Sequence, residues 1–317
     1  MKRTYLLPLT TALVALACRD GAMAPAGSLG SIRADRFDNA EWSEPVNLGP
    51  IVNSSATDQN AFLTRDQHDM YFGSNRAGAL GGSQDIYVAH RKCIKCDWET
   101  PVNLGPPVNT TGVEGSATLS DDGQLLFFYS NRPGSQGRDI WVSHRVATDD
   151  GDVWGDPVNL GPYVNTAADE QAAYYVNGDG GHATLYFNRI LGAGDQDIYS
   201  VPLSSNGEPL APAVAVPGIN TTVLDQKVAV RTDGHELLLS SNRPGGFGDL
   251  DMWRFTRQDI HDDWSPAEHV GAPLNTSFLD AQPALSEDGK TVIFTSNRPG
   301  GSGGNDLWMA TRRPGAQ

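Results

Sequence analysis

Apolar and polar positions alternate in short runs along this chain, and turn residues separate the runs. Residues 61–64, 69–74 and 85–89 are typical, since each run has the length of a strand and carries β-branched or aromatic side chains. Asp-Gly pairs such as Asp233-Gly234 lie between the first two runs of a unit, where glycine supplies the positive φ of a hairpin turn. The pattern predicts an all-β protein built from hairpins.

The runs belong to a unit of about 55 residues that occurs five times. Each unit opens on a version of Trp-x-x-Pro-Val-Asn-Leu-Gly, continues with Ser-Asn-Arg, and ends with Asp, then Ile, Leu or Met, then Tyr or Trp. The units start near residues 42, 98, 154, 209 and 264. Agreement at three phrases in register identifies a true internal repeat.

Four short antiparallel strands in a repeat of this length make one propeller blade. If the strands are named A to D from the axis outward, the chain begins with a lone D strand at 42–48 and ends with strands A, B and C. We therefore predict a five-bladed β-propeller over residues 42–312, with four antiparallel strands per blade and with the N-terminal strand joining the C-terminal blade. The alternative is an open arc, which would leave a sheet edge in need of a partner.

The phrases Ser-x-Asp-Gly (from Ser120 and from Ser286), Ser-Asn-Arg-Pro-Gly and Asp-Ile-Tyr resemble the WD-like β-propeller repeats of TolB-like proteins. The resemblance covers about residues 42–312 and implies the propeller fold. It implies little about activity, because such repeats serve as scaffolds, as binding proteins and occasionally as enzymes. The third unit departs most, since Phe187 stands where serine would precede Asn188.

Residues 1–17 have the pattern of a signal peptide, with two basic residues before an uncharged run that is too short to span a membrane. Residues 15–18 resemble the lipobox of bacterial lipoproteins, which implies a lipid on Cys18. The alternative is ordinary cleavage after Ala17 or Ala24.

Residues 18–41 are small and polar and would form a flexible tether behind this anchor, and residues 313–317 would form a tail. Arg19 is not the aspartate that retains such lipoproteins at the inner membrane. We therefore expect an exported outer-membrane lipoprotein that faces the periplasm or the cell surface, or otherwise a periplasmic or secreted protein.

Two further cysteines, Cys93 and Cys96, are separated by two residues. In an oxidising compartment this pair is expected to close a small disulfide. A zinc site would need two more ligands, and a redox site would need a βαβ context that the surrounding sequence lacks.

The composition of the chain limits the classes of partner that it can bind. The chain of 317 residues has a formal net charge of −15, which works against nucleic-acid binding because phosphate contacts need clustered Lys and Arg. The histidines show no ligand spacing, and no motif for nucleophilic or zinc catalysis occurs. We expect no cofactor, with a cation at the channel mouth as the open alternative, no catalytic residue, and membrane contact through the lipid only.

Charged residues recur at fixed places in the units. A hairpin register argument sets an acid before strand A against the arginine of strand B and the aspartate of strand C, as three neighbours in a row. The acids are Asp58, Glu114, Glu170, Asp225 and Asp280, and the loops before them carry Asn53, Asn109, Asn165, Asn220 and Asn275. The arginines are Arg76, Arg132, Arg189, Arg243 and Arg298, and the aspartates are Asp85, Asp139, Asp197, Asp251 and Asp306.

These rows have two interpretations. They can be structural, since alternating charges on adjacent strands satisfy one another. They can also form a ring of acids and amides that binds a ligand at the channel mouth.

Two functions follow from the sequence. The first is a non-enzymatic exported propeller that binds a protein, a peptide or a glycan on its loop-rich face as a binding or scaffold protein. The alternative is a carbohydrate-active enzyme, a glycosidase or a lyase, with axial carboxylates such as Glu114 and Glu170. The enzyme requires carboxylates that are not paired with an arginine. In a binding or scaffold protein, each acid is expected to bond the arginine of its own blade.

Overall fold

The computed structural model describes residues 41–149, 151–178 and 183–313. The predicted signal peptide, the lipidation site at Cys18 and the tether up to residue 40 lie outside the described residues, as do residues 314–317 of the tail. Within the described ranges, no helix is both long enough and apolar enough to cross a membrane.

The strands form five antiparallel sheets, which are the five predicted blades. In chain order they are β1 (Val46–Asn47); β2 to β5 (Asp58–Leu63, Asp69–Ser74, Asp85–His90, Val102–Asn103); β6 to β10 (Glu114–Leu119, Leu125–Ser130, Asp139–Thr148, Gly151–Trp154, Val158–Asn159); β11 to β14 (Glu170–Val176, Ala183–Gly192, Asp195–Leu203, Val214–Ala215); β15 to β18 (Asp225–Val230, Glu236–Ser241, Asp251–Thr256, Glu268–His269); and β19 to β21 (Asp280–Leu285, Thr291–Ser296, Asp306–Thr311). A short α-helix (Gly49–Val52) and a 3₁₀ turn (Leu80–Gly82) complete the described elements, and β9 extends the second blade by pairing with β8.

The predicted fold class is confirmed, including the way the ring closes. Strand β1 pairs antiparallel with β21, with Val46 opposite Met309, so the first described strand completes the last blade. Next to this pair, Trp42 forms a bridge with Arg312. The A strands β2, β6, β11, β15 and β19 contact one another around the ring and therefore surround the axis.

The outermost strand of each blade is shorter than the sequence phrase suggests, and the residues at its ends explain why. Pro45 precedes β1 and has no N–H to give to a ladder. After two residues Asn47 turns the chain, since its Oδ1 accepts the N–H of Gly49 at 2.8 Å. Its Nδ2 donates to Asp306 of the neighbouring strand at 2.9 Å, which ties the short strand to its blade.

The core lies between the faces of adjacent blades. Phe72, Phe128, Phe187 and Phe294 from the B strands of four blades are fully buried, and Leu239 occupies the equivalent position in the fourth blade. Burying one such side chain contributes on the order of 2 kcal/mol. At the rim, Cys93 and Cys96 are joined by a disulfide in the loop between β4 and β5.

We predict that replacing Trp42 by alanine weakens the closure of the ring. The indole is 2% exposed and lies 4.7 Å below the guanidinium carbon of Arg312. Trp42→Ala should therefore lower the free energy of unfolding by about 3–5 kcal/mol in denaturant titrations. Val46→Ala removes a side chain of the same segment that is 62% exposed, and it should change stability little. Equal midpoints for the two variants would contradict the role of this segment in closure.

Candidate functional site

The five acids that begin the A strands are fully buried, and each is paired with the arginine of its own blade. The shortest N···O distances are 2.6 Å for Asp58–Arg76, 3.5 Å for Glu114–Arg132, 2.7 Å for Glu170–Arg189, 2.7 Å for Asp225–Arg243 and 2.6 Å for Asp280–Arg298. Burying an unpaired carboxylate is costly, so this pairing is what allows the acids to lie inside the blades.

The loop before each A strand also bonds the acid, and its main-chain N–H donates to the carboxylate oxygen that the arginine does not take. Thr110 donates to Glu114 through its main-chain N–H at 2.9 Å and through its hydroxyl at 2.7 Å. Thr166 makes the same two bonds to Glu170, at 3.0 and 2.7 Å. Glu114 and Glu170, which the enzyme alternative nominated, are therefore both held by an arginine and by a loop.

The predicted row of acid, arginine and aspartate forms in the third blade, where Arg189 lies opposite both Glu170 and Asp197. In the other four blades it is corrected to a pair of acid and arginine. Ser130 lies opposite both Glu114 and Asp139, and Arg132 reaches back from two residues further on. In the second blade two shifts of one residue each displace the arginine: the hairpin turn sets Leu119 opposite Leu126 rather than Phe127, and a bulge adds one residue to the A strand. Asp139 instead accepts from Asn159 at 2.8 Å. In the described part of the chain, no arginine forms an ion pair with the strand-C aspartates Asp85, Asp139, Asp197, Asp251 and Asp306.

The five loop asparagines hold the loops to the neighbouring C strands. Asn109 is representative, since its Oδ1 accepts the N–H of Ile86 at 2.9 Å and its Nδ2 donates to the carbonyl of the same residue at 2.8 Å. The equivalent two-bond contacts join Asn53 to Leu307, Asn165 to Ile140, Asn220 to Ile198 and Asn275 to Met252. Their amides are used within the blades rather than turned to the axis.

A cavity of 380 Å³ lies on the axis, next to the starts of the A strands; we call it the axial pocket. The third residue of every A strand lines it: Asn60, Ser116, Ala172, Lys227 and Gln282. Four of these five have a positive φ, between 50° and 58°, and Lys227 is the exception. Non-glycine residues in this region are uncommon and are concentrated at functional sites.

A chain of amide and hydroxyl groups crosses one wall of the axial pocket. Gln59 donates through Nε2 to Oε1 of Gln84 at 2.7 Å, and Gln84 donates through Nε2 to the hydroxyl of Tyr129 at 2.8 Å. Gly115 leaves the space for this arrangement, because a Cβ there would clash with both Gln84 and Tyr129. Burial raises the pKa of the Tyr129 phenol, which therefore keeps its proton.

Three buried polar atoms of the pocket lining have no hydrogen-bond partner among the described residues. They are the hydroxyl of Ser116, the amide nitrogen of Gln171 and the amide oxygen of Asn188. Buried polar groups are nearly always satisfied, so a ligand or an ordered water in the cavity would be the partner of these three atoms. They offer a hydroxyl, a donor and an acceptor.

Asn188 reaches the pocket because the third blade is built differently there. The repeat aligns it with the asparagines of the other Ser-Asn-Arg phrases, but it lies opposite Gln171, the position that Tyr129 occupies in the second blade. Arg189 consequently lies directly opposite Glu170. The connection between strands B and C is correspondingly tight, with Gly192 paired with Asp195.

Two basic side chains line the axial pocket without a carboxylate partner in the described part of the chain. The amine of Lys227 donates to the carbonyl of Ala61 at 2.9 Å, and burial lowers the pKa of this lysine to about 7. The guanidinium of Arg138 lies 5.7 Å from the ring centre of Tyr129. None of the described residues that line the pocket is an aspartate or a glutamate.

Sequence reasoning did not identify these lining residues, although a signal for them was present. The positions that line the pocket change from blade to blade, although they lie next to positions that are constant. They are the two residues after each ring acid and the residue before each strand-C aspartate. In the latter position Gln84, Arg138 and Gln196 line the pocket. Among the residues described, no group of three or more His, Cys, Asp or Glu side chains is placed to hold a metal ion.

Comparison with known proteins shows what the fold is similar to. No protein-family model matches the sequence, and no curated protein matches it. Among solved structures, the chain resembles the catalytic domain of a GH62 α-L-arabinofuranosidase from Coprinopsis cinerea at 10% identity, with a TM-score of 0.58 and coverage of 86% of this chain and 98% of that one. It also resembles a Podospora anserina α-L-arabinofuranosidase in complex with cellotriose (11% identity, TM-score 0.57, 88% and 99% covered) and a thermostable family-43 glycoside hydrolase (12%, 0.55, 84% and 94%).

Two expectations are corrected by these neighbours. The resemblance to TolB-like and WD-like repeat proteins was wrong, because the similar structures are GH62 and GH43 glycoside hydrolases. The prediction of a non-enzymatic binding or scaffold protein is wrong on the same finding, and its carbohydrate-active alternative agrees better. The likeness itself establishes the five-bladed fold, and what this chain does has to be argued from its own residues.

We predict that Lys227→Met stabilises the protein at low pH. Because burial holds the pKa near 7 in the folded chain, against 10.5 ordinarily, the unfolded chain binds a proton between these values that the folded chain lacks. The penalty for burying the lysine is therefore complete below about pH 7 and disappears above about pH 10.5. Denaturant titrations should show a gain of roughly 2–4 kcal/mol at about pH 6 that fades towards about pH 10.

Lys290→Met is the matched control for this measurement. The Lys290 side chain is 73% exposed, so its removal should leave stability nearly unchanged at either pH. A Lys227→Met protein that is less stable than the parent at the lower pH would contradict the argument, because the buried amine would then contribute a net stabilisation.

Proposed function

We propose that this protein is a carbohydrate-active enzyme that holds a glycan in the axial pocket. The observation that carries the proposal is the set of three unsatisfied atoms around one cavity, the Ser116 hydroxyl, the Gln171 amide nitrogen and the Asn188 amide oxygen. Each sugar hydroxyl both donates and accepts a hydrogen bond. A sugar ring can therefore satisfy a donor, an acceptor and a hydroxyl together.

The rest of the lining suits the same class of ligand. The volume of 380 Å³ lies in the range of small-molecule pockets, and the Gln59–Gln84–Tyr129 chain fixes the direction of its amide groups before any ligand arrives. Groups held in place in this way bind without losing side-chain freedom.

The fold supports a glycan as the ligand. The similar structures include a GH62 hydrolase in complex with xylotriose and an arabinofuranosidase in complex with cellotriose. Those ligands belong to those proteins, and for this chain they indicate the class of compound to test first.

The reaction is expected to differ from two-carboxylate hydrolysis. That mechanism needs a pair of carboxyl groups about 5–9.5 Å apart across the scissile bond. The ring acids such as Glu114 and Glu170 are bonded to their arginines, and the residues described around the pocket include no carboxylate. The groups left to act on a bound glycan are the amine, the guanidinium and the phenol of the pocket.

Calorimetric titration with xylo-, cello-, arabino- and uronate oligosaccharides tests the proposal, together with chromatography of the products after incubation. We predict that Ser116→Ala weakens glycan binding about 5- to 10-fold by removing one hydrogen bond. The substitution suits the backbone, because Ala172 occupies the equivalent position in the third blade with a φ of 52°.

Gln124→Ala is the control, since Gln124 is exposed in the hairpin turn between β6 and β7, outside the pocket lining. It should bind like the parent. Failure of the parent protein to bind any member of the panel would contradict the proposed function, and so would equal affinities for the parent and Ser116→Ala.

A further inference from the structure

Arg138 has an unusual position in an acidic protein. Alone among the arginines in the described part of the chain, its guanidinium makes no hydrogen bond or ion pair, although the chain has a formal net charge of −15. It is partly buried and lines the axial pocket, and its guanidinium carbon lies 5.7 Å from the ring centre of Tyr129. A guanidinium presents a fork of donors that matches a carboxylate. Its missing partner is therefore expected on the ligand.

Lys227 is the second basic side chain of the pocket. It breaks the symmetry of the ring, because the equivalent residues of the other four A strands are uncharged. Its side chain is 1% exposed, and the carbonyl of Ala61 is the single hydrogen-bond partner of its amine within the residues described. The titratable groups that line the pocket with it are Tyr129 and Arg138, neither of which offers a negative charge near neutral pH. With its pKa near 7, the amine is available as a base at the pH where most proteins work.

We propose that the glycan is acidic, with a hexuronate residue in the axial pocket, and that the protein cleaves it by β-elimination. This inference rests on the proposed function. Arg138 binds the carboxylate of the hexuronate, and Lys227 is the base. Arg138 gives the pocket a permanent positive charge, and no carboxylate in the described part of the chain lines it, which favours an anionic sugar over a neutral one.

The elimination step needs only these groups. The free amine of Lys227 takes the proton from C5, the carbon next to the carboxylate. The electron pair of that C–H bond forms the C4–C5 double bond as the bond from C4 to the glycosidic oxygen breaks. The ammonium of Lys227 then returns the proton to the departing oxygen, so the products are an unsaturated uronate and a shortened chain, and no water or other co-reactant is consumed. Negative charge that develops on the carboxylate during proton removal is stabilised by Arg138.

The experiment incubates the protein with polygalacturonate, alginate and neutral xylan and follows the ultraviolet absorbance of the unsaturated uronate. The parent protein should release this chromophore from a uronate polymer and not from xylan. Lys227→Met should lower the rate at least about 100-fold while uronate oligosaccharides still bind. Because that variant is expected to be more stable than the parent, unfolding would not account for its loss of activity.

Arg138→Gln separates recognition from proton transfer. It should weaken binding of uronate oligosaccharides roughly 10- to 100-fold, the effect of losing a charged hydrogen bond, and leave the affinity for neutral oligosaccharides unchanged. Lys290→Met and Arg65→Gln are matched controls at side chains that are 73% and 53% exposed, and both should keep the parent rate.

The outcomes distinguish the two proposals. If neutral oligosaccharides bind and uronates do not, the acidic substrate is refuted while the glycan site stands. If uronates are cleaved without the chromophore, or if Lys227→Met keeps the parent rate, the elimination step is refuted. If no glycan binds, the proposed function fails and this inference fails with it.

Discussion

The buried pair of an acid and an arginine is the interaction on which the rest of each blade depends. In the second blade, Arg132 bonds Glu114 and lies over Trp141, with 5.2 Å between its guanidinium carbon and the ring centre. A carboxylate with no exposure is tolerated only when it is paired and hydrogen-bonded, so the arginine, the loop and the aromatic strand must all be in place. The three repeated phrases of the sequence thus describe one packing unit that is made five times.

This use of the acids decides what is left for function. The ring carboxylates have no free oxygen to offer a substrate, because an arginine takes one side and the preceding loop takes the other, as at Glu170. Chemistry at the axis then falls to the next residues along the A strand. The bulge after each acid turns these side chains inward, and the positive φ at Ser116 and Gln282 shows that the backbone accepts strain to do so.

The sequence was sufficient to predict the blades and the closure but not the lining of the pocket. Repeated phrases fix strand order, and the extra outer strand at Val46–Asn47 could be matched to the incomplete last unit by counting. The pocket depends on one inserted residue per A strand, which a regular hairpin register cannot anticipate. In the second blade this residue and a one-residue shift at the hairpin turn together set Ser130, not Arg132, opposite Glu114. The family resemblance was wrong for a related reason. The phrases on which it was based are needed to pack a propeller blade, so they do not identify one family of propellers.

Departures from the repeat carry more information about function than the repeat does. A fivefold ring offers five equivalent positions, and a single asymmetric ligand can use only a few of them. In the third blade the shift of Asn188 adds an acceptor to the pocket wall, and in the fourth blade Lys227 replaces a neutral side chain with an amine. Arg138 takes the place that Gln84 holds in the first blade. The three changed side chains line one cavity. The acid–arginine pairs around it fix the blades, so the symmetric parts of the molecule position the asymmetric ones.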